Sequence, residues 1–565
     1  MASLTPISGA LGTARAAHLL RRATFGPTKN DIDQFASLDA DQALNLLLDD
    51  SHPDPAPPVD PTTGATWVDP QGQSRADSER DQEELHGYFK CWHLDVMRRS
   101  PLTLKERITW FFHTHLPARW TEINSSEAIY YQNLLFRHYA YGSFKTLFKK
   151  ICVDNAMLRY LDGYSNRKNS PNENFAREMF ELYSIGKGRQ LEEGDYTHYT
   201  ETDIKEATRV LTGWTLDETF TFLDPDTGIP AGTLRMHEEN DGSGPVDVAT
   251  EHDPGSKTFT DKFGGHSVAP GAVVNGYATA EAAYGELDDM IEMIFAREET
   301  GRFIARKLYR FFVYHFISEE VEADIIGPLA QHLIDNDFEI ASMVSLLLKS
   351  SHFYDADDTA VANNHTGALI KSPVDVFTHL FRFFDVSFPD RDADPAGFYQ
   401  EMAFVTGKLV DMGLDFYEPF EVAGYPAYHQ VPAFGRNWIT TYALAHRYQV
   451  GDLLMKRLEG DDERDLYLDV LDWVENGGFV ADPSHPEEIM DALASNLLAV
   501  TLNQERYDYF LYTVFLENPE NQEQARTTWS YEWANYQSGG AGDTVRGQIE
   551  ILLSALVQTP EFQLH

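Results

Sequence analysis

The chain has 565 residues, 42% of them hydrophobic and 13% aromatic, which is too large and too apolar for a binding peptide or a disordered chain. Its 89 acidic residues against 45 basic ones leave a formal net charge of -44, which opposes extended contact with nucleic-acid phosphates or anionic lipid. Only 16 of the basic residues are lysine and 29 are arginine, and a charge excess this large is screened within about 3 Å at 1 M salt. The composition therefore points to adaptation to a saline milieu, or to an acidic surface that maintains solubility.

Helical periodicity dominates the first 215 residues. From Thr13 to Thr24 the apolar residues Ala16, Leu19, Leu20 and Ala23 recur on one face, and Phe25-Gly26-Pro27 stops the pattern. A second helix is expected from Asp31 to Leu48, capped by Asn30. Prolines 53, 55, 57, 58, 61 and 70 permit no helix interior over residues 51–75, so this stretch is expected to be an exposed loop. The helical pattern resumes over 78–115, 122–152 and 171–185. Cys91 and Cys152 fall inside apolar helical stretches and read as packed thiols, which leaves no disulfide framework and no cysteine zinc site.

Residues 216–280 break the pattern. Alternation in Thr219-Phe220-Thr221-Phe222 and a glycine-rich composition predict a small β-hairpin or long-loop insertion, with Lys257-Thr258-Phe259 as a partner strand. Helices are predicted again over 279–316, 321–335, 339–349, 372–384 and 395–412. A Pro/Gly/Tyr-rich segment, 418–437, precedes a last helical block that ends at Leu556. The fold class is therefore mainly α, a multi-helix irregular bundle divided into residues 1–215, the insertion 216–280, a central region 281–440 and a C-terminal region 441–565. No run of about 18 apolar residues is present, so no spanning segment is expected. No export signal is legible, which reads as cytoplasmic, or as cell envelope or secreted if a leader has been removed.

Three polar clusters carry candidate chemistry. In Ser170-Pro-Asn-Glu-Asn-Phe-Ala-Arg-Glu-Met-Phe-Glu-Leu-Tyr183, Ser170 is placed as the N-cap and Glu173 completes a capping box. Glu173, Arg177, Glu178 and Glu181 then share a polar face, either a solvated salt-bridge face or one turned into a cleft. In Phe111-Phe-His-Thr-His-Leu-Pro117, His113 and His115 diverge by 200° while both are helical. An unwound last turn before Pro117 would let them hold a divalent metal; otherwise they are packed histidines. In Glu251-His-Asp-Pro-Gly-Ser-Lys257, His252 and Asp253 sit on a turn that either aims them at a site or forms an Asx-type turn with an ion pair. HExxH, GxSxG, GxxxxGK[ST], GxGxxG after a strand and CxxC are all absent, which removes support for the common zinc-protease, α/β-hydrolase, P-loop and Rossmann readings.

Taken in order, His18-Leu-Leu-Arg-Arg-Ala-Thr-Phe-Gly-Pro27, Leu104 to His115, Pro171 to Glu178, the Leu-Thr-Gly-Trp214 ending, His252-Asp253, Arg302 to Leu308 and Lys371-Ser-Pro373 resemble the bacterial domain-of-unknown-function family 1800. Phe112 stands where that family usually has a Trp, and Pro419-Phe-Glu-Val-Ala-Gly-Tyr425 replaces its Pro-Pro-Asn-Val-x-Gly-Trp segment. The resemblance implies a helical fold and a partner of alkaline-phosphatase-like fold, and it supplies no activity. The function expected from the residues is hydrolytic: Glu173 or Glu178 as general acid/base, Arg177 as an anchor for substrate, and His113, His115, His252 and Asp253 meeting them in one cleft. The alternative is a non-catalytic scaffold that docks a partner protein through its aromatic surfaces and Pro-rich loops.

Overall fold

A computed structural model describes residues 2–68, 81–359, 364–456 and 466–565. The fold is mainly α, with small sheets of two to four strands among the described residues. One continuous apolar core runs from Leu11 to Phe562, so the N-terminal, central and C-terminal helices share a single interior. Burial of this core, rather than helix propensity, holds most of these short helices, since isolated helices of this length are marginal in water.

The first helix, Gly12–Ala23, buries Ala16, Leu19, Leu20 and Ala23 as its periodicity predicts, and it also buries His18, Arg21 and Arg22. Gly26 follows at φ +111°, and a Cβ there would stand 2.7 Å from the backbone of His379, so both the turn and the close approach require glycine. The single helix expected over 31–48 is two helices, Lys29–Ala36 and Ala40–Leu47. Thr28 with Asp31 and Asp39 with Gln42 each close a capping box, and the Asp39 cap divides the segment where periodicity alone runs on. Likewise 78–115 resolves into Gln82–Arg99 and Lys105–His115. The 51–75 loop is free of helix as far as residue 68, although Trp67 and Val68 are buried rather than exposed; its residues from 69 onward lie outside the described residues.

The 216–280 insertion contains strands, but not the expected pair. Residues 219–222 form a turn in which the Asp217 carboxylate accepts hydrogen bonds from the backbone N–H groups of Thr219 and Phe222. A four-stranded antiparallel sheet is built instead from Met236–Asn240, Pro245–Ala249, Tyr277–Thr279 and Val273–Val274. Lys257–Thr258 pairs with Ser267–Val268. The long helix expected at 279–316 is Ala280–Phe295 followed by Glu298–Phe312, and 418–437 holds two short turns of helix, Pro426–His429 and Phe434–Ile439. No helix among the described residues is long and apolar enough to cross a membrane.

Candidate anion-binding cleft

The polar side chains predicted to meet are placed apart. The helix expected from Pro171 begins at Asn174; Asn172, not Ser170, accepts from its first free N–H, and Glu173 occupies the cap position without a side-chain cap bond. The expected Ser170–Glu173 capping box does not form: residues 170–173 turn back, with Ser170 bridging Arg167, before the helix starts. From Met179 to Ser184 the helix widens to π geometry. Arg177 makes a two-pronged ion pair with Glu201, 2.7 Å for each nitrogen, and reaches Glu173 at 3.2 Å. That is the satisfied salt-bridge face, and as a partly exposed pair it contributes less than about 1 kcal/mol. Glu178 lines a separate shallow depression with Arg119, Tyr160 and Phe420; burial, with Glu181 nearby, raises its carboxyl above the usual range.

His113 and His115 face different neighbourhoods. The Lys105–His115 helix stays regular through His115, so the last turn does not unwind and the two imidazoles point to different neighbourhoods. His113 Nε2 lies 3.1 Å from the Tyr425 hydroxyl, whereas His115 Nε2–H donates to the Tyr183 carbonyl at 3.0 Å. Among the described residues, no group of three or more His, Cys, Asp or Glu side chains is arranged to hold a metal ion. His252 is fully buried between the Thr212 carbonyl and the Glu286 carboxylate, which also takes the Lys257 ammonium. Asp253 accepts from the Gly255 N–H and pairs with Arg209, whose Nε lies at 2.7 Å, so it forms the Asx-type turn with an ion pair.

A different set of residues converges. One face of the Lys105–His115 helix presents Arg107, Phe111, Thr114 and His115, spaced i, i+4, i+7 and i+8, and one face of Glu298–Phe312 presents Lys307, Arg310 and Phe311. Asp375, in the first turn of Pro373–Phe383, closes the floor with His565, and Tyr428, His429, Phe434 and Trp438 form the far wall. The enclosed part measures about 60 Å³.

The charges around this cleft are unequal. Arg107 pairs with Asp375 at 2.5 Å, and the other Asp375 oxygen takes the Ser372 hydroxyl at 2.7 Å and the His565 imidazole at 3.3 Å. Burial acts to raise that carboxyl, but Arg107 and His565 hold it well below the ordinary carboxylate range. The floor acid is thus already neutralised. Lys307 makes no ion pair or hydrogen bond with the described residues, and its ammonium lies 5.3 Å from the centre of the Phe303 ring. Burial, helped by Arg310, pushes its pKa down to about 8. Arg310 donates only to the His315 carbonyl and lies against Phe434. His315 is depressed by burial and then by Arg436 and Arg310, and His429 by burial and then Lys307. His115 is pushed down to about 3, and its Nδ1 has no hydrogen-bond partner. At the rim, Glu421 stands 3.3 Å from His429. Cations that repel one another, with donors left without acceptors, are in place before any ligand arrives.

Lys307 and Arg310 carry no sequence signal that sets them apart from the neighbouring arginines. In Arg302-Phe-Ile-Ala-Arg-Lys-Leu308, Arg302 and Arg306 both pair with Glu322, while Lys307 lies one step round the helix on the other face. Nothing in the local pattern distinguishes these cations.

Comparison with protein-family models matches residues 18–564 to a family described as protein of unknown function (DUF1800). Searches of the curated proteins and of the solved structures give no match.

Proposed function

Because the chain belongs to the DUF1800 family, whose description assigns no activity, we propose a function from its geometry: the cleft between the 105–115 and 298–312 helices binds a small anionic group. One observation carries this reading. In a chain of net charge -44, Lys307 and Arg310 line a partly enclosed cleft without a carboxylate partner among the described residues, beside a single floor acid that Arg107 already neutralises. Unpaired, partly desolvated cations are costly unless a ligand completes them. At neutral pH Lys307 and Arg310 supply the charge and His115 and His429 are neutral, so His115 Nδ1 is left to accept a hydrogen bond from a protonated ligand oxygen.

The test is titration with inorganic sulfate, read by calorimetry and by the part of the tryptophan emission that a Trp438→Phe variant removes. Removing one charge-assisted contact is worth about 1.5–3 kcal/mol, so Lys307→Met and Arg310→Met are each expected to weaken binding by roughly 10- to 100-fold. Sulfate does not titrate near neutrality, so affinity for it should fall as Lys307 loses its proton through about pH 8; Lys307→Arg should abolish that fall. Sulfate affinity indifferent to both Met variants removes the reading.

A second reading, a hydrolase, is favoured by Glu178, a half-buried carboxyl with a raised pKa and no ion pair among the described residues. Glu178→Gln would then abolish turnover of an ester or phosphoester while leaving sulfate binding intact.

A further inference from the structure

The cleft is lined by cations and by apolar side chains together, and this pairing selects a ligand. Building on the anion reading above, we infer that the ligand is a single-headed amphiphile: one sulfate-, phosphate- or carboxylate-sized anionic group carried on an apolar chain or ring. Phe111, Phe311, Ile370, Phe434 and Trp438 line the same cleft as Lys307 and Arg310. A water needs roughly 10–15 Å³ of such space, so an enclosed volume of about 60 Å³ takes a headgroup and leaves the rest of a longer ligand outside.

Three large apolar side chains close along the chain to lining residues are solvent-exposed. Phe316 follows the lining residue His315, Val431 lies two residues beyond His429, and Ile439 follows Trp438; they are 63%, 74% and 39% exposed. The occupant is a dissolved amphiphile and not an anionic bilayer, because the overall charge of -44 repels an extended negative surface while the local cations attract one headgroup.

The experiment compares inorganic sulfate, octyl sulfate below its micelle concentration, octyl glucoside and phosphatidylglycerol vesicles on the full chain, by Trp438 fluorescence and calorimetry. Each buried methylene is worth about fourfold in affinity, so three buried methylenes make octyl sulfate roughly 60-fold tighter than sulfate. Phe316→Ser and Val431→Ser, at exposed positions, should cut the octyl sulfate affinity several-fold and leave that for inorganic sulfate unchanged. Equal affinity for the two sulfates overturns the inference and leaves the anion reading standing, and no binding of either overturns both. Octyl glucoside binding as tightly as octyl sulfate, or vesicles binding more tightly than the monomer, overturns the amphiphilic-anion assignment.

Discussion

Acidification from pH 7.5 to 5.5 should destabilise the fold through its buried histidines. His113, His115 and His565 are each at most 5% exposed, and burial pushes each down to about 3 from an ordinary value near 6.5. These groups stay neutral in the folded chain and take up protons on unfolding. The unfolded state therefore binds more protons, and stability falls as pH drops below 6.5 until the folded value is reached. At pH 5.5 a group with an unfolded value one unit higher costs about 1.4 kcal/mol, so the three together cost about 4 kcal/mol of a total that for most proteins is about 5–15 kcal/mol. His18, His86, His93 and His379 are also lowered by burial and act in the same direction. Loss of net negative charge on acidification works the other way, as does Asp154, whose carboxyl is raised by burial to about 7 and which returns about 2 kcal/mol by pH 5.5; the measurement is therefore urea unfolding at constant 1 M NaCl, where surface charge is screened. The urea midpoint should fall steeply between pH 6.5 and 5.5. A midpoint unchanged or rising over that interval would refute the reasoning, because the histidine loss exceeds the gain from Asp154.

Two further outcomes follow from the charge layout. Asp375→Ala leaves Arg107 and His565 buried without their shared carboxylate, an error that typically costs 3–5 kcal/mol, and added sulfate should recover part of the loss; a cost below 1 kcal/mol in urea unfolding contradicts the pairing. If the acidic excess is an adaptation to salt, the melting temperature should climb by several degrees between 0.05 and 1 M NaCl, since screening relieves the repulsion among surface carboxylates while buried pairs are little affected, and a flat or falling melting temperature would count against it.

Helices were legible wherever an apolar stripe coincided with its own end signals. Gly12–Ala23 and Pro373–Phe383 are examples, the second closed by the Ser372–Asp375 capping box. Legibility failed where short-range polar chemistry overrode periodicity. Asp39 divides a stretch that reads as one amphipathic helix, and Asp217 gathers the N–H groups of an alternating Thr/Phe run that would otherwise read as a strand. Ser170 has the right spacing for a cap, yet its backbone is drawn into a bridge with Arg167, so the helix starts later. In each case the competing interaction spans only a few residues, and the same side chains are compatible with both outcomes until tertiary contacts choose.

The site was less legible for a different reason. Of the seven residues singled out for chemistry, His115 alone lines the anion cleft, and there it donates to a carbonyl rather than ligating a metal. Arg177 and Arg310 look alike in sequence: each is an arginine on an amphipathic helix in an acidic chain. Arg177 finds Glu173 four residues before it and Glu201 twenty-four after it, and its charge is spent within the fold. Arg310 has Tyr309 and Phe311 beside it, faces a wall drawn from residues more than 100 positions away, and makes no ion pair with an acid among the described residues, Glu322 acting on it only through space. With 89 acids to 45 bases, a cation left without an ion pair among the described residues is held clear of carboxylate contact by the fold. That arrangement, rather than a local density of charge, is the physical mark of a site waiting for an anion supplied from outside.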